Sequence, residues 1–470
     1  RSTAGVLREE LARQTADVRS HPVFFGSAIT GARIGELISG ITEFLPTAPG
    51  DGEGPLFGTV FKMERGPAGE KIAYVRLLSG TVRVRDTVEF RGGEPGDPPG
   101  EGKVTSLDVF DHGSATRAHA VSAGRIARLH GLGALRIGDT VGRPGGLAPR
   151  LGVLGHFAPP TLETVVVADR PSDRGRLHAA LSRLAEQDPL IGLRQDEVRQ
   201  ETHLSLYGEV QKEVIQATLA EEYGIGVTFR ETTTLCVERL TGTGAAVEAL
   251  GKDGNPFLAT IGLRVAPAPA GSGVAFHLGI ELGSLPLAFL KAVQETVVET
   301  LRQGLHGWRI PDCAVTLTHS RYLARQSHAH GTFDKSMSST AGDFRHLTPL
   351  VLMGALLEAG TQVHEPIHRF RLEIPEDTLD TILPVLTRLR ALPEATAQHG
   401  RSVVLEGDVP AARVHDLQRR LPSLTQGEGV LESAFAHYRP VTGEVVPTRP
   451  RTDHNPLDRK EYLLHVLRRV

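Results

Sequence analysis

The chain has 470 residues, room for about three or more domains with separate cores rather than one small stapled module. Its 52 Lys and Arg against 55 Asp and Glu give a formal charge of −3, so the overall balance carries no sign of a nucleic-acid or membrane partner and any basic surface must be local. Two cysteines, Cys236 and Cys313, are too few for a disulfide framework and have no metal-ligand spacing; they read as small core residues in a reducing compartment.

The chain opens at Arg1, with no initiator Met, directly into a helical run carrying Leu7 and Leu11, and so reads as a fragment of something longer. An apolar, bounded strand is expected at 21–25, then a helix from the spacing of Ile34, Leu37, Ile38, Ile41 and Leu45. That αβα piece is too small to fold alone. Residues 46–55 are a linker on composition, rich in Pro and Gly.

From residue 56 to about 153 short strands alternate with glycine turns. They are expected at 56–61, 72–78, 81–84, 87–90, 102–109, 124–129 and 140–141, and that regularity predicts a β-barrel. The Gly- and Pro-rich stretch 92–102 reads as an exposed hairpin tip. Residues 161–230 then give strand (161–168), helix (175–186), strand (191–196), strand (203–207), helix (209–223) and strand (226–230), the order of a ferredoxin-like domain. The same order recurs with strands at 367–374, 391–397, 402–407 and 429–437 and helices at 377–389 and 409–420.

The region between the two is mixed α/β: strands at 236–238, 256–265, 273–278 and 314–318, a helix over 287–304, a polar segment to Asp343 and a helix to Ala359. A basic tail ends in a helix, with Asn455 as N-cap, Pro456 in the first position, and Leu463, Val466, Leu467 and Val470 as a stripe that should dock on the body. The longest apolar run, 350–357, is far short of the ~18 residues of a membrane span, and nothing resembles a signal peptide, so a cytoplasmic protein is expected.

No phosphate loop, nucleophile elbow, His-Glu-x-x-His or paired-Cys motif is present, so no catalytic residue is assigned. The unusual stretch is 319–346, with three Arg, one Lys, four His and only two acids. Cations and hydroxyls in that density fit recognition of an RNA backbone. A solvated loop is a second reading, and a metal site from His319, His328 and His330 a third, although no carboxylate or Cys stands at ligand spacing. Trp308 and Phe344 read as core anchors, Glu209 and Glu213 as a solvated i, i+4 pair, and His437 and Tyr438 as facing either RNA or the core.

Several motifs carry a resemblance that covers nearly the whole chain. Pro55-Leu-Phe-Gly-Thr-Val-Phe-Lys62 with the run from Ile72 to Val88 resembles the β-barrel second domain of elongation factor G. Leu204-Ser-Leu-Tyr-Gly-Glu-Val-Gln-Lys-Glu-Val214 resembles its third domain, and Leu421-Pro-Ser-Leu-Thr-Gln-Gly-Glu-Gly429 its fifth. Gly26-Ser27-Ala28 resembles the fifth guanine-nucleotide motif of translational GTPases. Asn255-Pro-Phe-Leu-Ala-Thr-Ile-Gly-Leu263, Gly271-Ser-Gly-Val274, Gln303-Gly-Leu-His-Gly-Trp308 and Ser339-Thr-Ala-Gly-Asp-Phe-Arg345 look more like the ribosomal protection proteins that confer tetracycline resistance, near the actinomycete oxytetracycline branch.

The resemblance implies a ribosome-bound GTPase whose fourth domain reaches the decoding region and displaces tetracycline from small-subunit RNA. It implies RNA contacts from Arg321, Arg325, Lys335, Ser336, Met337, Ser338, Ser339 and Arg345, with the tip at 335–339. Family members often show Tyr-Ser-Pro-Val-Ser there; Lys335 and Met337 replace Tyr and Pro, so a phosphate contact and an apolar wedge take the place of an aromatic stack. Ser27 and Ala28 would be a remnant of the GTP site. GTP and magnesium are implied for a full-length parent, and this chain alone is expected neither to bind nor to hydrolyse the nucleotide.

The implied division is a GTP-binding remnant with linker (1–50), a β-barrel (51–157), a ferredoxin-like domain (158–230), a mixed domain with an RNA-contacting tip (231–365), a second ferredoxin-like domain (366–440), and a basic tail with its helix (441–470). The expected partners are the ribosome and its small-subunit RNA, not DNA or a membrane, with a monomer off the ribosome. An elongation factor G-like translocation factor and a nucleotide-independent RNA-binding scaffold are the alternatives.

Overall fold

The computed structural model describes residues 3–45, 50–66, 69–91, 100–111, 113–143, 160–188, 191–196, 199, 201–252, 254–281, 283–324, 338–442 and 445–467. They fall into two compact units, one within 1–90, 100–135 and 139–150 and one within 91–99, 136–138 and 151–470.

The first unit opens with helices α1 (Thr3–Ala16) and α2 (Ile34–Phe44). The strand expected at 21–25 does not form. Those residues pair with no strand among the described residues, and Val23 and Phe25 stay more than 70% exposed, at 73% and 76%. An apolar run becomes a strand only where a neighbour accepts its backbone groups. Phe24 instead lies over Gly40 of α2, so close that a Cβ there would fall 2.1 Å from its ring.

The strands of this unit are β1 (Phe57–Arg65), β2 (Lys71–Ser79), β3 (Thr81–Arg83), β4 (Thr87–Arg91), β5 (Gly100–Lys103), β6 (Ser106–Asp111), β7 (Ser114–Ala118), β8 (Ala120–Ser122), β9 (Ile126–His130) and β10 (Thr140–Gly142). Eight form a sheet in the order β5-β4-β10-β1-β2-β9-β6-β7, while β3 and β8 make a separate ribbon. The end strands β5 and β7 do not pair with each other among the described residues, so the expected closed barrel is seen as an open path. One expected strand, 102–109, is two, because the chain turns at Val104 and Thr105. The hairpin tip expected at 92–102 lies outside the described residues up to Pro99; Gly100 to Gly102 belong to β5. Alternate residues of β1, β2, β6 and β9, among them Val60, Val75, Leu77, Leu107 and Leu129, bury the core of the unit.

The second unit begins with β11 (Leu162–Ala168), α3 (Arg174–Gln187), β12 (Gly192–Asp196), β13 (Glu201–Leu206), α4 (Glu209–Glu221), β14 (Val227–Phe229) and the short β15 (Thr233–Thr234). The sheet runs β12-β13-β11-β14, all antiparallel, the strand order of the ferredoxin-like expectation. Leu177 and Leu181 of α3 and Ile215 and Leu219 of α4 pack on Val166, Leu204 and Leu206.

The mixed domain follows, with β16 (Val237–Leu240), β17 (Gly244–Glu248), β18 (Ala259–Pro267), β19 (Val274–Leu278), α5 (Leu287–Thr300), β20 (Cys313–Tyr322) and α6 (Ala341–Ala359). Its sheet is β17-β18-β20-β19, with β19 parallel to β20. Cys313, Val315 and Leu317 of β20 meet Val293 and Val297 of α5 and Phe344, Leu347 and Met353 of α6 in one core. The polar segment is shorter than its composition indicated: His319 to Tyr322 complete β20, and residues 341–346 begin α6.

The last domain is β21 (Thr361–Pro375), α7 (Leu379–Arg388), β22 (Leu392–His399), β23 (Ser402–Pro410), α8 (Ala411–Leu424) and β24 (Val430–Pro440), with β21 between β23 and β24. This is the second ferredoxin-like order. The start of β21 also pairs with β16, so the mixed and last domains share a sheet. The closing helix is α9 (Arg459–Leu467). Asn455 Oδ1 accepts from Leu457 N at 3.1 Å in a turn, and it is Asp458 that accepts from Glu461 N at 3.0 Å, so the cap is three residues later than expected. Leu463, Val466 and Leu467 pack on the mixed domain's core.

Trp308 is the only tryptophan and is buried in the mixed domain. Replacing the fully buried Phe344 by Ala should cost about 3–5 kcal/mol. A urea titration followed by Trp308 fluorescence should show the midpoint fall; an unchanged midpoint would mean that Phe344 is no core anchor.

Candidate functional site

β20 and α6 present the cationic segment. β20 runs antiparallel to β18, which places Tyr322 opposite Ala259 and Arg321 opposite Thr260. Arg321 is exposed and has no ion-pair partner among the described residues. The chain leaves the sheet at Leu323, and α6 begins at Ala341 behind a capping box: Thr340 Oγ1 accepts from Asp343 N at 3.3 Å and Asp343 Oδ2 accepts from Thr340 N at 2.7 Å.

The two ends of the loop are tied together. Leu323 N donates to Ser339 Oγ at 2.7 Å, Ser339 N donates to Leu323 O at 3.1 Å, and the Ser339 hydroxyl donates to Leu258 O. Leu258 N donates in turn to Asp343 Oδ1 at 3.1 Å. Asn255 braces the facing turn by accepting from Phe257 N and donating to the carbonyls of Ala249 and Ala259. The root of the segment is therefore fixed by hydrogen bonds from both sides.

Of the nominated RNA contacts, Arg321, Ser338, Ser339 and Arg345 are described; Arg325, Lys335, Ser336 and Met337 lie outside the described residues, as do His328 and His330 of the metal reading. The four described ones are not equivalent. Ser338 is buried and Ser339 is committed to the loop root. Arg345 lies one turn into α6 with Nη2 3.3 Å from Glu295 Oε2 of α5, both side chains half exposed. Arg321 alone of the four is an exposed, unpaired cation. His319 Nδ1 lies 3.0 Å from Thr318 Oγ1, and no group of three metal-ligating side chains occurs among the described residues. His346 packs against Phe257, and partial desolvation there lowers its pKa despite the nearby Asp343.

The secondary candidates are structural. Cys236 and Cys313 are buried thiols pushed up to about 12 by burial. Glu209 is not a freely solvated partner of Glu213: it bonds Lys212 at 3.0 Å and Thr232 at 2.7 Å, which together lower its pKa against the opposing effect of burial. Tyr438 packs on Phe435 and is pushed up to about 12 by burial, while His437 is exposed near Asp408.

Four elongation factor G domain families match in succession: domain 2 over residues 55–143, domain III over 157–231, domain IV over 227–360 and the C-terminus over 362–449. The chain is 47% identical to the oxytetracycline resistance protein of Streptomyces rimosus, with 98% of this chain and 68% of that protein covered. The chain belongs to the elongation factor G-like tetracycline resistance proteins, the ribosomal protection family. It is 43% identical to the tetracycline resistance protein TetM of Streptomyces lividans (92% and 65% covered) and 33% to TetP of Clostridium perfringens (99% and 68%). It thus spans about two thirds of the length of these relatives.

The segment between β20 and α6 then lies within the family's fourth domain. GTP and magnesium, which the family implies, do not fit the residues described. Ser27 N already donates to Ala32 O at 3.1 Å, and Ser27 Oγ accepts from Thr30 N at 3.3 Å, so the turn uses its own donors. Ala28 beside it offers nothing to phosphate or metal, whose contacts dominate nucleotide affinity.

Sequence reasoning took Ser339 for an RNA contact and missed its bond to Leu323. The signal was present in Thr340-Ala-Gly-Asp343, a capping pattern that marks where loop ends and helix starts. A Ser339→Ala variant should free the Leu323 amide, and hydrogen exchange at Leu323 should accelerate at least tenfold; unchanged protection would show that the root does not depend on this hydroxyl.

Proposed function

We propose that this chain is the ribosome-engaging part of a factor that frees the ribosome of tetracycline, with the fourth-domain loop between Leu323 and Ser339 reaching the decoding region of small-subunit RNA. The observation that carries the reading is the 47% identity to an oxytetracycline resistance protein across 98% of the chain, which includes this loop. The same observation favours drug release over general translocation.

The chemistry follows from the root. Ser339, Thr340 and Asp343 hold the loop's ends, so the contacts to RNA fall to Arg321 and to Arg325, Lys335, Ser336 and Met337. Arginine and lysine neutralise phosphates and release counterions, which makes binding salt-dependent. Met337 supplies an apolar wedge, Ser338 is buried at the loop's end, and Arg345 is held on the helix surface by Glu295. GTP binding and hydrolysis belong to a full-length parent, with residues 1–50 as the end of its nucleotide domain. The domain limits at 50, 157, 230, 365 and 440, a cytoplasmic location and a monomer off the ribosome complete the reading.

The test uses the full-length gene in a tetracycline-sensitive bacterium. The intact gene should protect growth, and replacement of residues 335–337 should abolish protection while accumulation and ribosome binding persist. Arg321→Ala should lower the slope of log affinity for ribosomes against log salt by about 1. An intact gene that gives no protection would sink drug release and leave a translocation-like factor.

A further inference from the structure

We infer that residues 445–452 are a strap that sets the fourth domain against the third, and that Glu163, Arg449 and Gly307 are positioning residues for the fourth-domain loop. The inference rests on the reading that this loop acts at the ribosome.

Arg449 belongs to both domains at once. Its guanidinium grips Glu163 on β11 of the third domain, with Nε 3.1 Å from Oε2 and Nη2 bonded to Oε1. Its backbone N donates to His306 O of the fourth domain at 2.8 Å, and the guanidinium carbon lies 5.5 Å from the centre of the Trp308 ring. Trp308 Nε1 donates to Pro447 O at 2.8 Å, and Arg451 Nη1 donates to Gln303 O at 2.6 Å. From the third domain, Arg199 Nη1 reaches Arg451 O at 3.3 Å.

The grip is dry. The side chains of Glu163 and Arg449 are 5% and 11% exposed. Burial alone would raise the Glu163 pKa, but His203, Arg449 and Arg194 outweigh it and hold the carboxyl at about 2. An ion pair this buried tolerates the loss of one partner poorly, because the other charge is then stranded away from water. Domains joined by small polar surfaces are otherwise expected to move.

Gly307 makes the strap's seat possible. Its φ is +82°, a left-handed conformation, and a Cβ there would fall 1.9 Å from Arg449 O. Ala at this position has to push the strap off the fourth domain without touching a charged group.

The test measures the distance between the two domains in the 470-residue chain. Val214 on α4 and Val247 on β17 are exposed, so V214C and V247C accept a fluorescent donor and acceptor, while the native thiols are buried and remain protonated. The wild-type background should give one narrow distance distribution. R449M and G307A should each broaden it, with secondary structure retained by circular dichroism, and R449K should restore part of the width. The groups facing Glu163 are Arg194, Arg449 and His203, and its folded pKa lies below the ordinary 4.5. Its contribution is therefore complete above about pH 4.5 and lost as pH falls toward 2, so the narrow distribution should persist at pH 5.

The same substitutions placed in the full-length gene should reduce tetracycline protection at least tenfold at equal accumulation. An unchanged distribution in both R449M and G307A overturns the strap. A broadened distribution with full protection overturns its role in positioning the loop. A wild-type gene that confers no protection removes the drug-release reading and the positioning role together, and the distance measurement then still decides whether the strap joins the two domains.

Discussion

The second unit depends on a single buried carboxylate. Glu238 in β16 has no exposed surface, and it accepts from the backbone amides of Leu305, His306 and Trp308, each at 2.9 Å, and from Thr361 Oγ1 at 2.7 Å. Three peptide donors converge on this one side chain, and without it they would lose their partner. The turn can wrap so tightly only because residue 304 is glycine: a Cβ there would stand 2.6 Å from Glu238 Oε2. β16 also pairs with β21, so one side chain ties the fourth domain's turn to the shared sheet.

That turn carries Trp308 and the His306 carbonyl on which Arg449 rests, so the geometry passes from Glu238 through the turn to the tail and on to Glu163. The loop root is a separate and more local arrangement, in which Ser339, Leu258 and Asp343 bind one another at the far end of β20. Both arrangements use charged or polar side chains to satisfy backbone groups where the chain leaves regular structure, the places where such groups are otherwise orphaned.

The two ferredoxin-like domains were legible because alternation and helical spacing coincide in them. In β21, Phe370, Leu372 and Ile374 are buried at every second position, and Ile382 and Leu386 of α7 stand four apart. β17 was not legible, since Gly244 and its alanines are small: α6 approaches so closely that a Cβ at Gly244 would lie 2.2 Å from Ala355 O. β7, a polar exposed strand, is held by its ladder to β6 and shows no apolar pattern at all. The reverse error occurred at Phe24 and Phe25, apolar residues without a strand to pair with. At the site, residue types pointed to the segment, but whether a hydroxyl faces outward or ties the loop's root depends on Leu258 and Leu323, which composition does not reveal. Nor did any local pattern join Arg449 to Glu163.

The tail's partners lie far back along the chain: Glu163 is 286 residues before Arg449, Glu248 is 211 before Arg459, and His346 is 116 before Tyr462. Each domain core closes over a much shorter span and can assemble as its segment is synthesised. The union of the third and fourth domains cannot, because the residue that spans them is made long after either domain core is complete. A nascent chain halted before residue 445 would carry folded domains that are not yet joined by the strap, with Glu163 held only by Arg194 and His203. Within the chain, assembly of the unit is thus ordered in time by position, with the strap closing after the domains that it joins.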